Sequence, residues 1–395
     1  ALEKATLIAD FEQPLDGRIA SYRAAREALR EPLACVNGST MPTMWVFGQS
    51  HIDLGWLWPL EETRRKAIRT YANQLELMAE YPEYRFLLCE PALLEMLRER
   101  DPGVWERVLD AHHRGQIEAE GAFWVECDTN LPAGESLIRQ LLYGKAWFRT
   151  HFGTEPRVAW QPDTFGFTAA LPQILKKMGV PYFATEKLLR ADPETERFPY
   201  QNFVWEGMDG STVEALSFFK ANAPVSPQLL HKRWEVERSQ RRNIDTMLYS
   251  FGYGDGGGGP TRDHIEYALR EKDLQGMPRL RLEGPVQFFE DMEKKGGPVH
   301  AYSGELYFSA HRGVYTSQAA IKRGNRKSEL ALREAEMWGA LASWLKKDYD
   351  YPQGKMDAAW QLLLFNQFHD ILPGSSIGRV YERARAEHRQ IIEEA

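Results

Sequence analysis

Four short stretches of the 395-residue chain concentrate groups that can do chemistry. The first, GQSHIDLGWLW (48–58), sets His51 and Asp53 two positions apart. In an extended segment residues i and i+2 point the same way, so both side chains can reach one cation. Imidazole with carboxylate suits zinc and related divalent metals. An HxD tripeptide is also a common loop hydrogen bond, and spacing alone leaves both readings open. The second, WQPDTFGF (160–167), places Asp163 directly after an apolar run. A carboxylate there either caps a following helix or is held out rigidly as a nucleophile or metal ligand. The third, FGYGDGGGGP (251–260), puts Asp255 before four glycines and lacks the GK[ST] ending of a phosphate loop. It reads as a loop brought close to a cleft or as a flexible surface loop. The fourth, FNQFHDILPGSS (365–376), closes a helical pattern with His369-Asp370. A histidine at a helix end usually serves the last carbonyls; as a second metal ligand it would arrive from a distant part of the chain.

These groups need a scaffold. Apolar runs of strand length at 44–49, 85–90, 116–121, 157–162 and 181–186 alternate with stretches of helical period. That alternation predicts a mostly parallel sheet with crossover helices, an α/β fold. Residues 202–218 read as two strands around the turn Met208-Asp209-Gly210. A further strand runs into Asp255, and the rhythm persists to about residue 305. Beyond it, 317–347, 356–370 and 378–395 read as three helices in series, a helical bundle. The expected organisation is a lead-in at 1–40, an α/β domain at 41–305 and a bundle at 306–395. His51, Asp53, Glu90, Glu120, Glu126, Asp163, Glu186 and Asp255 all follow predicted strands. In parallel α/β folds the ligand crevice lies at those strand ends. The segment HRGVYTSQ (311–318) is expected at the junction of the two parts. His112, His113, His151, His231, His264, His300 and His388 read as surface or structural.

Composition excludes several classes. Hydrophobic content of 43% and charged content of 27% are ordinary for a globular chain. A net charge of −7 gives no footprint for nucleic acid. No run of about 18 apolar residues predicts a membrane span, and the charged N-terminus lacks the apolar core of a signal peptide. Three widely spaced cysteines give no disulfide framework and fit a reducing, cytoplasmic setting. The 12 Trp, 16 Tyr and 19 Phe are mostly core material, although flat rings also suit a sugar-binding cleft. Nothing points to a protein partner, and a homo-oligomer stays open.

Taken together, HIDLGWLW, WQPDTFGF, GDGGGGP, HRGVYTSQA and NQFHDILPGSS, in this order, resemble family 38 of the glycoside hydrolases, the retaining α-mannosidases. The likeness runs from about residue 44 to 380, and the TFGF form and glycine run are similar to the cytosolic and bacterial branch. It implies a seven-stranded α/β domain followed by a three-helix bundle. It implies zinc, with cobalt as an alternative, on His51, Asp53, Asp163 and His369. Asp163 would also be the nucleophile and Asp255 the general acid/base. Trp56 and Phe165 would flank the mannose of an oligosaccharide substrate, and Asp370 would hold its hydroxyls. Trp58 is expected in the core. Family members continue into β-sandwich domains, so the chain is expected to be a piece of something longer. Two rivals share the residues: a metal-dependent carbohydrate deacetylase, whose metal activates water, and a non-catalytic mannose-binding module.

Overall fold

The run predicted at 44–49 forms β1 (Thr43–Gly48), whose Met44, Val46 and Phe47 are buried. A computed structural model describes residues 1–189, 197–218, 225–238 and 245–395. Nine more strands follow among the described residues: β2 (Phe86–Leu88), β3 (Ile117–Ala119), β4 (Val158–Trp160), β5 (Tyr182–Thr185), β6 (Asn202–Glu206), β7 (Thr212–Ser217), β8 (Thr246–Phe251), β9 (Arg279–Leu282) and β10 (Ala301–Ser303).

They form two five-stranded sheets. In the first, the order is β3-β2-β1-β8, with β9 also on β1, and every pairing is parallel. β1 pairs with β8 along its whole length, from Thr43↔Thr246 to Gly48↔Phe251. The second sheet runs β10-β6-β7-β5-β4 and is parallel except for the β6–β7 hairpin at the predicted turn. The α/β expectation therefore holds, with ten strands in two sheets where the resemblance implies one set of seven. β9 and β10 escaped the sequence reading for a physical reason. RLRL alternates cations with leucines, and AYS is largely exposed, so neither makes an apolar run.

The two sheets meet where β3 gives way to β4, and no backbone ladder joins those strands. A buried carboxyl group stands in instead. Glu120 Oε2 accepts the N–H groups of Arg157 (2.8 Å) and Val158 (3.0 Å). Long helices cover the sheets, among them Leu60–Glu80 and Gly134–Phe152. One core gathers Met44, Val46, Phe86, Phe167, Phe183 and Trp205, and a second gathers Phe47, Trp160, Tyr182, Phe218, Phe288 and Phe289. Truncating a fully buried ring such as Trp205 costs about 3–5 kcal/mol.

The C-terminal part holds helices Ala319–Leu345, Gln353–Asn366 and Gly378–Glu394, packed on Leu332, Met356, Trp360, Leu363 and Ile391. A short antiparallel contact ties this bundle to the sheet. Asp128 N–H donates to Gln367 O (2.9 Å), His369 N–H donates to Glu126 O (3.1 Å), and Cys127 bridges Phe368. Residues 1–40 contain the helices Leu2–Ile8 and Leu15–Leu33, which bury only Ala5 and Ala25. All three cysteines are free, and no helix among the described residues is long and apolar enough to cross a membrane.

Burial pushes the Glu120 carboxyl up to about 8, against the opposing pull of the N–H groups it accepts. A carboxyl raised on folding contributes stability at low pH and loses it as pH climbs through the folded value. Stability in chemical denaturation is therefore expected to fall between about pH 5 and pH 8, and to fall less in Glu120→Gln, which keeps an acceptor oxygen but cannot ionise. Identical pH profiles for the two proteins would remove Glu120 from this role.

Candidate active site

Beyond Gly48 the chain stays extended, and Gln49 N–H still reaches Phe251 O at 2.9 Å. The glycine run then doubles back alongside it. Asp53 N–H donates to Asp255 O (2.9 Å), and Ile52 bridges Gly256. The glycines are there because neighbouring segments approach closely. A Cβ on Gly252 would lie 2.3 Å from Gln49 O, and one on Gly257 would lie 2.6 Å from Thr70 Oγ1. Both have positive φ, of 131° and 76°. Of the two readings open in the sequence, the close-approaching loop is the one observed. Asp255 itself holds φ at 56°, an unusual value for a residue with a side chain and one that clusters at functional sites.

His51, Asp53, Asp163 and His369 converge, with one donor atom from each lying within 4.8 Å of all the others. His51 Nε2 is 2.9 Å from Asp53 Oδ1 and 3.9 Å from Asp163 Oδ2. His369 Nε2 is 3.4 Å from both carboxylates. The two imidazoles stack with centroids 5.3 Å apart. Asp163 does not cap a helix, since the next one begins at Leu171. His369 does not close its helix either, because that helix ends at Asn366. The chain leaves the helical path because residues 367–369 pair with 126–128.

Glu126 orients three members of the cluster. Its Oε2 accepts from His51 Nδ1 (3.0 Å), its other oxygen accepts the Asp163 N–H, and its carbonyl accepts from His369 Nδ1 (2.8 Å). Both rings are thereby turned to present Nε2 inward, the arrangement that partners of metal-bound histidines impose. Glu90 supports Glu126 in turn, accepting its N–H at 2.8 Å. Sequence reasoning put Glu126 at a strand end and missed this task, because the contacts span up to 243 residues of chain.

Electrostatics follow from the packing. Burial opposes a charge on His51, yet the carboxylates of Glu126 and Asp53 outweigh it and hold its pKa well above the ordinary value. His369 is raised in the same way, by Glu126, Asp163 and Asp53. Burial alone would lift Asp163; His369, Lys187 and His51 overcome it and hold that carboxyl well below the usual range. Asp370, beside the cluster, is pushed by burial up to about 7. Two nitrogens and two carboxylates are a donor set for zinc or a related divalent ion. His369 Nε2 fits that use: it is fully buried and makes no hydrogen bond.

Next to the cluster lies a cavity of about 250 Å³, lined by Asp53, Trp56, Asp163, Phe165, Lys187, Asp255, His311, Asp370 and Ser375. It gathers every sequence-predicted site residue except the two histidines, which touch its lining through Asp53 and Asp163. Three members were missed. Lys187 follows β5 by two residues, one position past the carboxylate that strand-end reasoning had picked out. His311 packs edge-on to Phe165 at 4.6 Å and belongs to the segment expected at the junction. Ser375 donates to Asp370 Oδ1. Trp58 departs from expectation: it is half-buried, and its indole N–H donates to Asp53 O at 3.1 Å, so it supports the cluster rather than filling core. Glu120 belongs to the sheet junction and lies outside the cavity lining.

Residues 41–305 match the glycosyl hydrolases family 38 N-terminal domain. The chain belongs to glycoside hydrolase family 38. Residues 309–395 match the alpha mannosidase middle domain. Among curated proteins, the chain is similar to alpha-mannosidase G of Dictyostelium discoideum, 38% identical over 361 residues that make up 91% of this chain and 33% of that protein. It is similar to human alpha-mannosidase 2C1, 38% identical over 359 residues, 90% of this chain and 34% of that one. The chain thus spans about a third of the length of these curated relatives. The fold is shared with an alpha-mannosidase from Enterococcus faecalis, at a TM-score of 0.76 and 20% identity, over 89% of this chain and 41% of that one.

A divalent ion can bind only when both imidazoles have lost a proton. Zinc affinity, measured by titration calorimetry, is expected to weaken as pH falls, starting above the ordinary histidine value of 6.5. His369→Ala should weaken it by at least about 100-fold. Affinity that ignores both pH and this substitution would place the ion elsewhere.

Proposed function

We propose that this chain carries the catalytic apparatus of a retaining α-mannosidase acting on terminal α-linked mannose of oligosaccharides. One observation carries the reading. Asp163 belongs to the four-residue cluster and also lines the cavity that Asp255 lines. Two carboxyl groups sharing one cleft are what glycoside hydrolysis requires, and one of them held ionised beside the cluster suits the nucleophile of a retaining reaction.

His51, Asp53, Asp163 and His369 would hold the ion. Bound there, a zinc-class ion supplies positions for the neighbouring O2 and O3 hydroxyls of mannose. Asp163 is suited to attack because its carboxyl stays ionised; its oxygen bonds to the anomeric carbon as the glycosidic bond breaks. Asp255 gives its proton to the departing oxygen and later takes one from the incoming water. The positive φ of Asp255 and its backbone pairing with Asp53 would set where that carboxyl enters the cleft. Trp56 and Phe165 offer apolar faces to the sugar ring. Asp370, held by Ser375, accepts from hydroxyls.

Hydrolysis of an aryl α-mannoside is expected, with loss on chelation. Asp163→Ala should cut turnover at least ~1000-fold, and Asp255→Asn should slow poor leaving groups far more than good ones. Proton NMR of the first-formed sugar should show the α anomer. A β anomer first, full activity of Asp163→Ala, or release of acetate from an acetylated sugar with no mannoside cleavage would overturn the assignment.

A further inference from the structure

Lys187 is a buried ammonium in the cavity lining, and the four-residue cluster does not include it. It is 4% exposed, in the single turn Lys187–Leu189 that follows β5. Burying an ammonium is costly unless a partner compensates it. Its partner is Asp163 Oδ1. The other oxygen, Oδ2, is the one facing His369 (3.4 Å) and His51 (3.9 Å). The two oxygens of the nucleophile are therefore divided between two environments. Phe165 and Phe308 wall the ammonium, with their centroids 5.5 Å and 6.0 Å from Nζ. The Lys187 N–H donates to Thr185 Oγ1 at 3.3 Å, which anchors the turn at the strand end. The ion pair and the two rings hold the cation close to Asp163 Oδ1.

The charge on Asp163 changes twice in a retaining reaction. In the first step an Asp163 oxygen bonds to the anomeric carbon, the glycosidic C–O bond breaks, and its electron pair leaves on the aglycone oxygen with a proton from Asp255. The carboxylate becomes a neutral ester. In the second step a water oxygen bonds to the same carbon and gives a proton to Asp255. The ester C–O bond breaks, and its electron pair returns to Asp163 as a carboxylate. A fixed ammonium at Oδ1 favours the ionised form over the ester. It restrains the attack and promotes the departure.

We infer that Lys187 sets the balance between the two halves of the reaction, by stabilising the Asp163 carboxylate as it leaves the sugar. The inference rests on the retaining reading above and adds to it a residue outside the ligand set.

The test uses the chain with zinc bound and an aryl α-mannoside with a good leaving group, comparing wild type, Lys187→Gln and Lys187→Arg. In Lys187→Gln the second step is expected to slow by on the order of 10- to 100-fold. kcat and KM should then fall together, with kcat/KM held or raised because the attack is no longer restrained. A pre-steady-state burst of phenol equal to the enzyme present should appear. Mass spectrometry of the acid-quenched protein should find a hexosyl adduct on the peptide bearing Asp163, and added azide should raise kcat. Lys187→Arg, which keeps the cation, should remove the burst. If wild type turns over but Lys187→Gln shows no burst and loses kcat/KM as much as kcat, Lys187 is a structural counter-charge and the inference falls alone. If neither protein cleaves the substrate or forms the adduct, the retaining reading falls with it.

Discussion

The molecule is organised around one electrostatic difficulty: two buried imidazoles, a buried carboxylate and a half-buried one lie within 4.8 Å of one another. Removing an ion from water costs several kcal/mol, and only close partners of opposite charge offset it. None of the four can be removed without stranding the others. The supports reach outward from there. Glu126 holds three of them, Glu90 holds Glu126, and Trp58 holds the Asp53 carbonyl. The cluster also explains why a bundle and a sheet share a site. His369 enters only because residues 367–369 pair with 126–128, so the junction between the two parts is itself part of the cluster geometry.

The glycine run shows the same dependence from the other side. Its cost in conformational entropy is offset by what close approach achieves, which is backbone pairing of Asp255 with Asp53. The proposed proton donor and a proposed metal ligand are thereby placed by one hydrogen bond. Lys187 then divides the oxygens of Asp163, leaving one toward the histidines and one toward a fixed cation. Proximity of reacting groups and control of their charge come from the same few contacts.

Much of this was legible in the residues. His51, Asp53, Asp163, Asp255, His369 and Asp370 stand in short motifs whose types announce chemistry, and the strand-end rule gathered most of them on one side of the fold. The alternation of apolar runs gave the parallel pairing, and the turn at 208–210 gave the antiparallel exception. What stayed hidden depended on partners far away in sequence. Glu126 looks like any strand-end carboxylate until His369 arrives from 243 residues downstream. Lys187 looks like a surface lysine, since nothing local says that aromatic walls enclose it. Glu120 sat in the same series as the site carboxylates and proved to be a substitute for missing backbone pairing. β9 and β10 lacked apolar runs altogether.

The central claim is that a single divalent ion is shared by the sheet and the bundle through two imidazoles and two carboxylates. X-ray absorption at the zinc edge on the loaded chain tests it most directly. The expected shell holds two imidazole nitrogens and carboxylate oxygens at one ion per chain, with one imidazole lost in His51→Ala and one in His369→Ala. A shell containing thiolate sulfur, or one unchanged when both histidines are replaced, would contradict it.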